Sequence, residues 1–186
     1  MNHTVTSKQT LLKAAKDITY SEGLNHLNIR RVALACNISI GAVYNYFPSK
    51  SDLIFALIED FWSSIINETL FKNTQKIGFP DYFEQIYQNL YLRLKEFKAE
   101  FLQQIMQFDH AEKEKGKSIE KIYFQYIKNE LSCALQQDQQ IPPSIWNDSF
   151  TRDAFIDLVF KSMISSLKQG ENNSIFLKEM IIRLLY

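Results

Sequence analysis

Asn28, Arg30, Ser39, Tyr44, Asn45, Tyr46 and Lys50 fall within one short stretch of the chain. They bring amides, hydroxyls and two cations, and none stands beside a partner that could serve as its general base. Such groups suit donation to phosphate oxygens rather than bond breaking. The remaining chemistry-bearing residues are scattered. His3 and His26 carry no signal, and His110 has Asp109 and Glu112 nearby but no second His or Cys spaced to complete a metal set. Cys36 and Cys133 form no spaced pair, and Cys36 reads as a small packing hydrophobe. No Ser-His-Asp, Cys-His or glycine-rich phosphate loop is present. The expectation is a protein that binds, not an enzyme, with no cofactor and no metal.

The charge agrees with a polyanion at one end. Formal net charge is zero, but residues 1–50 hold six Lys/Arg against Asp17 and Glu22, and residues 51–186 hold 15 against 19. A basic head on an acidic body points to a nucleic acid at the head. Apolar residues make up 46% of 186, enough for a buried core. No apolar run approaches the ~18 residues of a membrane span, and the polar start MNHTVTSKQT is neither a signal nor an anchor. With unpaired cysteines, a reducing cytoplasm is the expected compartment.

Helical periodicity runs almost throughout, so the fold is expected to be all-α with about nine helices. A first helix spans 7–21 and closes at Gly23. Asn28 caps a short second helix to about Cys36, and Asn37 takes a tight turn at positive φ. Ser39 caps a third helix that Pro48 stops. Val43 and Phe47, four apart, face the core; Ile40, Gly41, Tyr44 and Asn45 face out. Ser49 and Asp52 start a fourth helix of about 25 residues, ~37 Å at 1.5 Å per residue. A fifth follows KIGFPD, and residues 97–108 form a sixth or a bend of the fifth. HAEKEKGKS reads as a charged connector before a seventh helix. QQDQQIPPS is a linker, an eighth helix runs from about 147 to 168, and a ninth starts near Ser174.

Two short helices joined by a tight turn make a helix-turn-helix, with the third helix as reader of the major groove. Gly41 lets the backbone approach the duplex closely, and Lys50 adds a cation at a helix start. The stretch NIRRVALACNISIGAVYNYFPSKSDL resembles the N-terminal signature of the TetR family of bacterial regulators. Arg30, Ala33, Ser39, Gly41, Tyr44, Tyr46, Phe47, Lys50 and Leu53 match the family pattern at its spacings. The resemblance covers about residues 7–60. It implies an all-helical homodimer with a three-helix DNA-binding domain, 1–50, and a helical ligand-binding and dimerisation domain, 51–186. It also implies release from operator DNA when a ligand fills the second domain. Asn28, Cys36 and Asn37 stand where the pattern has Thr, a small residue and Gly. Ile40 and Ala42 stand where polar side chains are common, which points to apolar contact with thymine methyls.

The body offers two further sets. Phe61, Trp62, Ile65, Tyr87, Tyr91, Phe101, Ile105, Tyr123 and Tyr126 are the candidates to line a pocket for a small apolar or aromatic effector. The fourth helix, carrying Lys50 at one end and Trp62 further on, is expected to transmit its binding. Phe155, Leu158, Val159, Ser162 and Met163 on the eighth helix, with Phe176, Met180, Ile181 and Leu184 on the ninth, are expected to form a four-helix dimer interface. The alternative is a helix-turn-helix protein that answers to a protein partner, or organises the chromosome, without a small ligand.

Overall fold

The computed structural model describes residues 6–69, 77–106 and 108–186, with side chains throughout except at 67–69 and 96–106. Among the described residues there are eight α-helices and no strand: α1 Lys8–Glu22, α2 Ile29–Ala35, α3 Ile40–Tyr44, α4 Lys50–Thr69, α5 Phe79–Met106, α6 His110–Gln137, α7 Arg152–Gln169 and α8 Ser174–Leu185. Short 3-10 turns occupy Leu24–His26 and Pro143–Ile145. The chain divides into two compact units. The first holds Met1–Trp62 and Phe97–Ile119; the second holds Ser63–Glu96 and Glu120–Tyr186. The division falls inside α4, α5 and α6, so three helices contribute to both units.

In the first unit α1 buries Leu11, Ala15 and Ile18, α2 buries Ile29, Val32 and Ala33, and α3 buries Val43. Phe47 and the α4 residues Leu53, Ile54, Leu57 and Ile58 complete this core. Caps set the ends. Ser7, Asn28 and Ser39 accept from the backbone N–H three residues on, at 3.0–3.1 Å. Each such cap is worth about 1 kcal/mol. An ion pair of 2.6 Å joins Lys16 of α1 to Asp60 of α4.

In the second unit α7 buries Phe155, Ile156, Val159, Met163 and Leu167, and α8 buries Leu177, Ile181 and Leu185. Gly170 closes α7 in the left-handed region at φ 78°, with Glu171 N–H reaching back to Ser166 O at 3.0 Å. The α5 residues Tyr82, Phe83, Ile86, Tyr87 and Leu90 pack inside this unit.

Three expectations about elements need correction. Residues 79–106 form one helix, the second of the two alternatives left open for 97–108, so the described residues hold eight helices where about nine were expected. HAEKEKGKS is the first two turns of α6, not a connector. Its start is a capping box: Asp109 Oδ1 accepts the Glu112 N–H at 2.8 Å, and Glu112 Oε2 accepts the Asp109 N–H at 3.0 Å. The helix near 147 begins only at Arg152. Asn147 instead folds its side chain into a turn, accepting from Ser149 and Phe150 N–H at 2.9 and 3.0 Å, and Thr151 takes the cap.

Candidate nucleic-acid interface

The α2–α3 corner is fixed by backbone geometry. Ile38 N–H bonds to Ala33 O at 3.0 Å and Asn37 N–H to Leu34 O at 3.1 Å, which together form a Schellman closure. Asn37 occupies the left-handed position at φ 52°, the non-glycine residue in that region among those described. Asparagine tolerates this better than most side chains, which is why the usual glycine is dispensable. Cys36, at the α2 end, is half-buried with its sulfur 4.0 Å from Thr10 O. Burial pushes its thiol pKa up, against a reactive thiolate.

From that corner α3 presents one face outward. Val43 is fully buried, while Ile40 and Tyr44 are 41% and 49% exposed. Gly41 and Asn45 are exposed and Ala42 is half-buried. A Cβ at Gly41 would meet nothing nearer than Ser39 Oγ at 3.9 Å, so the chain itself has room for one. Ser39 is exposed, and its oxygen caps the helix at Ala42 N–H. Asn28 does the same for α2, while the exposed Arg30 follows two residues on. Its neighbour Arg31 is paired with Glu22 at 2.5 Å.

Tyr46 differs from expectation in one respect. It is 40% exposed, but its hydroxyl donates to Thr6 O at 2.9 Å. It therefore ties the segment before α1 to the end of the reader, and its oxygen remains an acceptor, not the donor a phosphate needs.

Lys50 opens α4 between two anchored serines. Ser49 Oγ accepts the Asp52 N–H at 3.0 Å and donates to the Asp52 carboxylate at 2.8 Å. Ser51 donates to Glu112. Lys115 reaches Asp52 at 2.9 Å and lies 4.5 Å over the Phe55 ring, which in turn packs on Phe108 at 5.1 Å. Hydrogen bonds from Lys115 and Ser49 hold the Asp52 carboxyl below its usual pKa. The first turns of α4 and α6 are thus clasped within the first unit, and the clasp fixes where Lys50 starts. In the sequence Glu112 stood out only as a neighbour of His110, and Lys115 and Phe55 not at all; the D-H-A-E spacing at 109–112 was the available signal.

The effector candidates are distributed over both units. In the first, Phe61 and the buried Trp62 meet edge to face at 5.4 Å; the side chains of Phe101 and Ile105 lie outside the described residues. In the second, Ile65 is buried and Tyr91 half-buried. Tyr87 is fully buried; its hydroxyl donates to Glu171 O and accepts from Asn173 N–H, both at 3.0 Å. Tyr123 pairs with Ser63 at 2.8 Å, and Tyr126 is exposed. The dimer candidates divide. Phe155, Val159, Met163 and Ile181 are buried in the chain's own core, Ser162 and Met180 are half-buried, and Leu158, Phe176 and Leu184 are exposed. Among the described residues no three His, Cys, Asp or Glu side chains are grouped to hold a metal ion, and no helix is long and apolar enough to cross a membrane.

Comparison with known proteins agrees with this geometry. Residues 11–57 match the family model described as bacterial regulatory proteins, tetR family. No curated protein matches the chain. Among solved structures it is similar to GusR of Salmonella enterica, with 17% identity and a TM-score of 0.61, covering 95% of this chain and 94% of that one. It is similar to the transcriptional regulator FadR of Bacillus subtilis in complex with stearoyl-CoA, at 14% identity and TM-score 0.59, with 96% and 97% covered. A transcriptional regulator from Aquifex aeolicus is 22% identical at TM-score 0.51, with 92% and 93% covered.

Proposed function

We propose that the chain is a transcriptional regulator of the TetR family, whose model residues 11–57 match, and that it is a repressor released from its operator by a small apolar or aromatic effector. Residues 1–50 hold the DNA, and residues 51–186 take the effector and dimerise. The observation that carries the DNA-binding part is α3 itself. Val43 anchors it inside, and Ile40, Gly41, Tyr44 and Asn45 are left outside on a reader helix whose start and corner are fixed by caps.

The effector part rests on the ring-rich helices and on the complex formed by FadR, a protein of the same fold. With the hydroxyls of Tyr87 and Tyr123 engaged inside the second unit, the effector's contacts are mainly apolar. The dimer part rests on Leu158, Phe176 and Leu184, with Ile175 and Ile182 beside them, all exposed on α7 and α8.

Selection from a random pool of duplexes tests the proposal. The recovered DNA is expected to carry two half-sites related by two-fold symmetry, because a symmetric dimer presents two reader helices, ~34 Å apart or a multiple of that. A chain that retains no sequence over competitor DNA sinks it. Effectors are then sought among apolar and aromatic compounds that release the selected duplex. By reciprocity a releasing compound binds more weakly when operator is present, by the same factor. Equal affinity with and without operator removes the release mechanism and leaves DNA binding standing.

A further inference from the structure

We propose that α3 reads the C5-methyl group of a pyrimidine through Ile40, and takes that methyl from thymine or from 5-methylcytosine alike. The inference rests on the DNA-binding reading above and names the chemistry at the same surface. The leading residues of a reader helix are those that reach base edges in the major groove. Here they are Ile40, Gly41 and Ala42, and none has a hydrogen-bonding side chain. Bidentate selection of guanine or adenine needs Arg, Lys, Asn or Gln. The first such residue after Ile40 is Asn45, the cap at the far end of the helix. Ser39 precedes Ile40, but its oxygen already accepts the Ala42 N–H. A hydroxyl also serves donor and acceptor edges equally, so it does not separate thymine O4 from the cytosine amino group.

What remains at the reading end is apolar contact. Ile40 is 41% exposed, while Val43 three residues on fills the core, so the isoleucine keeps a large apolar surface outside. Gly41 beside it carries no side chain, and even a Cβ there would meet nothing nearer than Ser39 Oγ at 3.9 Å, which allows a base edge to come close. The C5-methyl is the apolar group that a base edge offers in the major groove. Thymine carries it, and cytosine methylated at C5 carries it at the same place. With no side chain at this end of α3 asking which pyrimidine bears the methyl, occupancy of the site responds to cytosine C5 methylation.

The probe is the duplex that the full chain selects from a random pool. Each thymine is replaced singly by deoxyuridine, which lacks the methyl and keeps every hydrogen-bonding group. At one or two positions per half-site affinity is expected to fall about four-fold, the transfer worth of one buried carbon. At such a position cytosine and 5-methylcytosine, each opposite guanine, are expected to differ by the same factor. Both steps are expected to vanish in Ile40→Ala. Deoxyuridine tolerated everywhere, 5-methylcytosine binding no better than cytosine, or steps that persist in Ile40→Ala each overturn the inference while DNA binding stands. A chain that selects no duplex overturns the functional reading and this inference together.

Discussion

Replacing Gly41 by alanine separates folding from DNA binding at a single atom. Within the chain the added Cβ meets nothing closer than 3.9 Å, and Gly41 does not lie in the positive-φ region. Alanine is worth about 0.5–1 kcal/mol more than glycine inside a helix. Gly41→Ala is therefore expected to unfold at the same temperature or slightly higher, and to bind operator at least ~10-fold more weakly, a cost of about 1.4 kcal/mol. A melting curve and a titration on the same preparation check both halves. Lys50→Ala tests the start of α4, after the reader. If Lys50 neutralises one phosphate, its loss weakens binding to all duplexes, and the slope of log affinity against log salt falls by about 0.9. An unchanged slope removes Lys50 from the interface. Asn37 and Tyr46 show how far single residues could be read in advance. Asn37 at positive φ follows from its side chain and its place after a short helix. The Tyr46 hydroxyl does not, because its acceptor, Thr6 O, lies 40 residues away in sequence and no local pattern encodes it.

Elements end where side chains accept their free N–H groups, and the legible boundaries were those with a familiar cap. Ser7, Asn28, Ser39 and Ser49 were visible as starts. The Asp109–Glu112 box was equally local, but it sat inside a run of charges that reads as solvated loop. The α5 start was expected only after KIGFPD, a few residues late, because what anchors it is not local. Phe79 N–H donates to Asp138 at 2.6 Å, across 59 residues. The same carboxylate accepts from Gln140 N–H at 2.9 Å and from the Tyr186 hydroxyl. Asp138 thus pins the α5 start and the last residue of the chain to the end of α6. Burial alone would raise its pKa, but the bonds from Tyr186, Phe79 and Gln140 outweigh it and hold the carboxyl below its usual range. The folded state therefore favours the carboxylate. Its contribution to stability is fully present above the unfolded value of about 3.9 and is lost as pH falls through the lower folded value. Asp138→Asn is expected to cost about 2 kcal/mol at pH 7, and the gap to the parent chain should close under acid. Denaturant midpoints from pH 7 down to the acid transition test this; a gap that stays constant assigns the loss to shape rather than charge.

At the scale of the whole molecule, α7 and α8 have two apolar sides with different uses. Sequence periodicity marks a helix as having apolar rows but does not say which row meets its own core and which is left over. The structure divides them: Phe155, Val159, Met163 and Ile181 are inside, whereas Ile175 and Phe176 are 74% and 71% exposed, with Leu158, Ile182 and Leu184 also exposed. Several large apolar side chains exposed on two successive helices are what an interface leaves when its partner is removed. The two classes predict opposite failures. Phe155→Ala removes a ring that touches Phe79, Trp146 and Phe150 at centroid distances of 5.7–6.3 Å. It is expected to cost 3–5 kcal/mol, about what other buried Phe→Ala changes cost, whatever the oligomeric state. Phe176→Glu adds a charge to a side chain the core does not use. A folded chain with unchanged helicity is expected, but one that sediments as a monomer where the parent sediments as a dimer. Operator affinity should fall with it, since a single reader helix loses the second half-site. The order matters for the interpretation. If the parent is already monomeric at micromolar concentration, the exposed rows of α7 and α8 are not the interface. If Phe176→Glu remains dimeric, the partner sits on another face and α3 must be paired through it.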